Sequence, residues 1–99
     1  MTNYNNNYQL PAPELLETMT GSRILIGTLI APPVKIIFDN MGSVPVEIGT
    51  DVVTTWKTFP AGEALVLDNA LEAFPEGTRF YGNGASGDFS IAYTYVKQS

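Results

Sequence analysis

The stretch Asp88-Phe-Ser-Ile-Ala-Tyr-Thr-Tyr-Val96 decides the fold class. Phe89, Ile91, Tyr93 and Tyr95 fall on one parity, and Ser90, Ala92 and Thr94 on the other. A period of two is the pattern of a strand with one buried face, because successive side chains leave a sheet on opposite sides. Working back from it, Pro75-Glu-Gly77 turns the chain into a strand that begins at Thr78-Arg-Phe-Tyr81. Asn69-Ala-Leu-Glu72 has the spacing of a capping box and predicts one helical turn, stopped by Pro75. Residues 64–68 form a short strand with Leu65 and Leu67 inward, preceded by a Phe59-Pro-Ala-Gly62 turn. Asp51 to Thr58 (DVVTTWKT) is strand-prone.

Further back, Val34, Ile36 and Phe38 share a face, and so do Val44, Val46 and Ile48. Between them Asp39-Asn-Met-Gly-Ser43 supplies turn chemistry, which predicts a hairpin; Pro45 marks its second strand as an edge or a strand beginning. Arg23 to Ile30 (RILIGTLI) is rich in β-branched residues, apolar on both parities, and broken by Ala31-Pro-Pro33. Six to seven short strands separated by turn signals predict an all-β domain over residues 23–99, a small antiparallel β-sandwich or barrel. No internal repeat of solenoid length is visible.

Residues 1–22 read differently. Met1 to Gln9 hold Tyr4 and Tyr8 among asparagines and show no apolar periodicity, which predicts an extended arm that is disordered when free. Pro13-Glu-Leu-Leu-Glu-Thr-Met19 predicts a short helix, with Pro and Glu suited to a first turn and Gly21 to the end. Extended, such an arm reaches about 70 Å, enough to lie across a neighbouring subunit.

Ninety-nine residues fit one domain with a thin stability margin. Cysteine and histidine are both absent, which removes disulfides and the usual zinc, haem and iron–sulfur ligand sets. No cofactor is implied. Assembly with further chains is the remaining reinforcement. The net charge is −5, and Arg23, Lys35, Lys57, Arg79 and Lys97 are scattered singly, so a phosphate backbone finds no cation cluster and direct nucleic-acid binding is not expected. The longest apolar run, Ile24 to Ala31, is too short to span a bilayer, and the N-terminus lacks the pattern of a signal peptide. These features predict a soluble protein with no membrane partner.

Gly82-Asn-Gly-Ala-Ser-Gly87 spells G-x-G-x-x-G. A dinucleotide fingerprint needs a helix opening at the third glycine, and here a strand follows, so the segment predicts a hairpin connection. A serine nucleophile lacks a histidine base. The acidic residues sit mostly at turns or strand ends, where solvation accounts for them, and no calcium-loop pattern occurs. The expectation is therefore a non-enzymatic chain without catalytic or metal-binding residues. Phe80, Phe89, Tyr93 and Tyr95 suit a buried core face better than a stacking platform.

The informative anomaly is apolar character on a second face. Leu25, Leu29, Ile37, Val53, Phe59, Val66 and Tyr81 occupy parities that a half-solvated strand makes polar. That pattern predicts a further covering layer, supplied by the arm, a neighbouring copy or another protein. Candidate partner-contacting residues are Tyr4, Tyr8, Leu10, Leu15, Leu16 and Met19 in the arm, with Leu25, Leu29, Trp56 and Tyr81 in the domain.

From about Val34 to Val96 the chain resembles the small β-sandwich structural proteins encoded among virion genes of tailed bacteriophages. The residues carrying the resemblance are Phe38-Asp-Asn-Met-Gly-Ser-Val-Pro-Val46, Phe59-Pro-Ala-Gly-Glu-Ala-Leu-Val-Leu-Asp68 and Pro75-Glu-Gly-Thr-Arg-Phe-Tyr81. About two-thirds of the chain is covered, and the motifs mark turns and strands rather than an active site. The resemblance implies a virion component made in the host cytoplasm: a capsid decoration or head-associated accessory protein that contacts other virion proteins as a homo-oligomer or as arrayed copies. The alternatives are a head–tail connector or tail component, or a carbohydrate- or cell-surface-binding module with Trp56 and Tyr81 as stacking residues.

Overall fold

The computed structural model describes residues 9–96. They form nine strands: β1 (Gln9–Pro11), β2 (Leu15–Thr18), β3 (Ile24–Thr28), β4 (Lys35–Asn40), β5 (Val46–Gly49), β6 (Lys57–Phe59), β7 (Ala64–Leu67), β8 (Arg79–Gly84) and β9 (Asp88–Val96). One antiparallel sheet, here the arm sheet, runs β1-β9-β4-β7, with β2 also pairing β9; the other, the cleft sheet, runs β3-β8-β5-β6. The two pack face to face as a β-sandwich, and the all-β expectation holds.

Alternation in β9 does what its sequence asks: Phe89, Ile91 and Tyr93 are buried, and so are Ile36 and Phe38 opposite them on β4. From the cleft sheet come Val46, Ile48, Phe59 and Phe80. The aromatic rings interlock across the gap, with centroids of Phe38 and Phe80 5.4 Å apart and Phe59 and Phe89 5.2 Å apart, both edge-on. Such contacts add about 0.5–1.5 kcal/mol each beyond the apolar area they bury.

Several local expectations are corrected. The 34–48 hairpin does not form: β4 lies in the arm sheet and β5 in the cleft sheet. The cause is Asn40, whose buried side chain ties down the corner. Its Nδ2 donates to the carbonyls of Val44 (2.9 Å), Phe59 and Pro60 (3.1 Å each), and its Oδ1 accepts from the Gly42 amide. The turn residues therefore carry the chain from one layer to the other.

The helix expected over 13–19 is also absent, since Leu15–Thr18 form β2. One short helical turn gains little alone, whereas pairing with β9 satisfies the same backbone groups along an existing edge. Residues 9–19, expected to belong to a loose arm, are thus the arm sheet's edge. Register shifts by one between β1 (Leu10 opposite Tyr95) and β2 (Leu15 opposite Ile91), so Pro13 and Glu14 form a bulge against Ala92. Thr94 donates to Gln9, Ser90 to Glu14, and Thr18 to Asp88 (2.5 Å), a series of side-chain bonds along the outward face of β9. Residues 1–8, with Tyr4 and Tyr8, lie outside the described residues.

Of the segment expected as a strand over 51–58 only Lys57 and Thr58 are strand, in β6; 50–56 is a folded loop. Phe59, expected in a turn, is fully buried. The helical turn at Ala70–Glu72 does form, as a 3-10 turn, but Asn69 is left-handed (φ 55°) and makes no side-chain cap, so the capping box is not realised. Gly82-Asn-Gly84 is strand rather than loop. Its two glycines make room for the arm: a Cβ on Gly82 would lie 3.0 Å from the Met19 sulfur, and one on Gly84 3.4 Å from Met19 Cγ.

Candidate functional site

Two surfaces of the sandwich carry unexplained apolar or polar groups. The first is the outer face of the arm sheet. Ile37 stands directly between Ala92 on β9 and Val66 on β7, and Leu16 on β2 lies diagonal to Ala92. These four make an apolar stripe across the sheet from one edge to the other. Leu16 and Val66 are 48% and 49% exposed, while Ile37 and Ala92 are half-buried. Flanking positions on the same face are polar, Lys35 and Asp39 on β4 and Ser90 and Thr94 on β9. Ile37 and Val66 were among the second-face residues that the sequence singled out.

The second surface is a cleft of about 790 Å³ at the end of the sandwich where β8 begins and β5 stops. One wall is the 50–56 loop. Asp51 Oδ1 accepts from the amides of Val53 (2.8 Å) and Thr54 (2.6 Å), folding the loop back on itself. These two donors hold the Asp51 carboxyl below its ordinary value, Thr54 contributing most. The Thr54 carbonyl then packs over Gly49, where a Cβ would come within 2.0 Å of it. Arg23 fastens the loop by donating to Thr55 (3.0 Å) beside Glu47 (3.6 Å), and the Trp56 amide returns to Ile48 O at 2.7 Å.

The opposite wall is the segment from Ala73 to Arg79. Thr78 closes the turn onto the Pro75 carbonyl through both its amide (3.1 Å) and its hydroxyl (2.7 Å), and Gly77 donates to Leu29 O. Trp56 and Phe74 line the cleft, their rings perpendicular at 5.5 Å, and Tyr81 lines it as well. Trp56 also touches Phe38 at 5.2 Å, yet remains 42% exposed. It closes the core on one side and faces the cleft on the other.

The candidate partner residues therefore separate. Leu16 and Leu25 are exposed; Leu10 and Leu15 are half-buried, Leu15 packing against the core over Gly27. Met19 (3% exposed) and Leu29 (1%) are buried in this chain's own core and are not surface on the folded chain. Met19 is buried because the arm folds over Gly82 and Gly84; Leu29 because its amide and carbonyl both bond the 77–78 turn. Trp56 and Tyr81 come together at the cleft. Arg79, Asp51 and Phe74 also line it, and reading the sequence missed them as site residues, because they come from separate places, the start of β8, the 50–56 loop and the segment before Pro75.

Among the described residues no group of three metal-ligating side chains occurs, and no helix is long and apolar enough to cross a membrane. The fold and its surfaces define a small two-sheet β-sandwich with an apolar stripe on one layer and an aromatic cleft at one end. No family model, curated protein or solved structure matches the chain.

Proposed function

We propose that this chain is a non-enzymatic structural protein that works through contacts with other chains, as a head-associated or capsid-decorating component of a tailed-phage virion. The observation that carries the contact role is the Leu16–Ala92–Ile37–Val66 stripe, an apolar band with a polar border on the outer face of the arm sheet. A domain this small is expected to spend its apolar residues on its core, and a contiguous exposed band marks an interaction surface. The phage setting rests on the sequence resemblance. The occupant of the stripe is then a neighbouring virion subunit, a second copy of this chain or another coat protein.

The test is incorporation into particles. Virions of a phage carrying this gene contain the protein at a fixed ratio to the major capsid protein. Val66→Lys, at an exposed position on an edge strand, leaves the melting temperature of the free chain unchanged and removes the protein from purified particles. Absence of the wild-type protein from virions, or normal incorporation of the lysine variant, overturns the proposal.

A further inference from the structure

We propose that the cleft between the 50–56 loop and the 73–79 segment binds a short neutral oligosaccharide, with Trp56 and Tyr81 as stacking surfaces. The volume, about 790 Å³, falls within the range of small-ligand sites. The lining combines three aromatic rings (Trp56, Phe74, Tyr81) with a small set of fixed polar groups, the composition such sites need. Trp56 is held by Phe38 behind it and Phe74 beside it, so a ligand meets a ring already oriented.

Charge decides the ligand class. One carboxylate, Asp51, and one guanidinium, Arg79, line the cleft, and neither forms an ion pair among the described residues. Asp51 takes its two backbone bonds through Oδ1 alone, so Oδ2 has no part in capping the loop. An acceptor and a fork of donors facing one space suit a ligand rich in hydroxyl groups, each of which both donates and accepts. An anionic glycan would meet Asp51 and a chain of net charge −5. A polyproline peptide would use the rings and offer carbonyls to Arg79, but it has no N–H to donate to Asp51. Pyranose rings satisfy both requirements, presenting C–H faces to the aromatic rings and hydroxyls to the charged pair. This site is separate from the stripe on the arm sheet, and its test needs only the isolated chain.

Trp56 is the single tryptophan, so its emission reports the cleft directly. The full chain is screened on an array of neutral glycans. Maltotriose, cellotriose, triacetylchitotriose and any array hit are then titrated against Trp56 fluorescence, with a proline decapeptide alongside. The expected result is a saturable emission shift with at least one neutral glycan and none with the peptide. Arg79→Ala and Asp51→Asn, the latter retaining the loop caps, weaken binding about tenfold or more, as loss of a charge-assisted hydrogen bond requires. Their melting temperatures stay at the wild-type value. No neutral glycan giving a shift that depends on Arg79, or a shift produced by the decapeptide instead, overturns the assignment.

Discussion

Replacing Asn40 with aspartate changes one atom of a fully buried side chain, and the structure says it unpins the corner between the two sheets. The Asn40 amide nitrogen faces three carbonyl oxygens at 2.9–3.1 Å, those of Val44, Phe59 and Pro60. Its two N–H groups are net worth about 0.5–1.5 kcal/mol each, and leaving buried acceptors unpaired adds about 1–3 kcal/mol. Loss of the donor therefore costs about 3 kcal/mol, against a total stability of about 5–15 kcal/mol for a domain of ordinary robustness. In thermal terms that is a fall of about 12–24 °C.

Aspartate does more harm than loss alone, because an ionised carboxylate would press an oxygen against those carbonyls. Its folded-state pKa must then rise above the unfolded value of about 3.9. The native state binds the proton more tightly, so the penalty is complete above the folded pKa and shrinks as pH falls toward the unfolded one. Urea titrations of wild type, Asn40→Asp and Asn40→Leu, followed by circular dichroism at pH 7 and pH 4, measure this. The difference between aspartate variant and wild type should narrow at pH 4, and that between leucine variant and wild type should not. A loss below about 1 kcal/mol for Asn40→Asp at pH 7, or one equal at both pH values, would refute the reasoning.

Three further outcomes follow from the geometry. Gly87→Ala should cost more than Gly62→Ala in equilibrium unfolding: both glycines have positive φ, but a Cβ on Gly87 would lie 2.7 Å from the Gly42 Cα, whereas Gly62 has open space. Deleting residues 1–18 should lower the melting temperature and expose apolar surface to a hydrophobic dye, because β9 loses its edge partner; an unchanged melt would show that the arm contributes nothing to the fold. Asp51 holds its loop more strongly when ionised, and its folded pKa is depressed, so that added contribution is present above the ordinary value of 3.8 and disappears as pH falls through the folded pKa. Hydrogen exchange at the Val53 and Thr54 amides should accelerate in Asp51→Ala at pH 7, and equal rates in variant and wild type would contradict the caps.

The sandwich was legible in the sequence because its central strand alternates cleanly from Phe89 to Tyr95 and its turns carry proline and glycine. The arm was not, for a physical reason. β1 and β2 are three and four residues long, and the bulge at Pro13-Glu14 shifts parity between them, so no window shows a period. Their partner, moreover, lies at the other end of the chain. Crossing from β4 to β5 was hidden too, since Asp39-Asn-Met-Gly-Ser43 has the same local chemistry whether the next strand folds back or changes layer. Only the carbonyls of Phe59 and Pro60, brought to Asn40 from another turn, decide it. At the cleft, Trp56 and Tyr81 could be picked out as aromatics on ambiguous strands, whereas Asp51 and Arg79 look like ordinary surface charges until the loops converge.

The pairing of β1 and β2 with β9 also sets a schedule for biosynthesis. Leu15 has to wait for Ile91, and Gln9 for Val96. At about 5–20 residues per second, a ribosome needs roughly 4–15 s to travel from the one leucine to its isoleucine partner. Throughout that interval the arm sheet lacks its middle strand, and β4 and β7 can form only a two-stranded fragment with an unpaired edge. No nascent chain shorter than the end of β9 can complete this layer. Closure is consequently a late, concerted event, and the apolar residues of the early strands stay exposed to chaperones, or to one another on a crowded polysome, until it occurs.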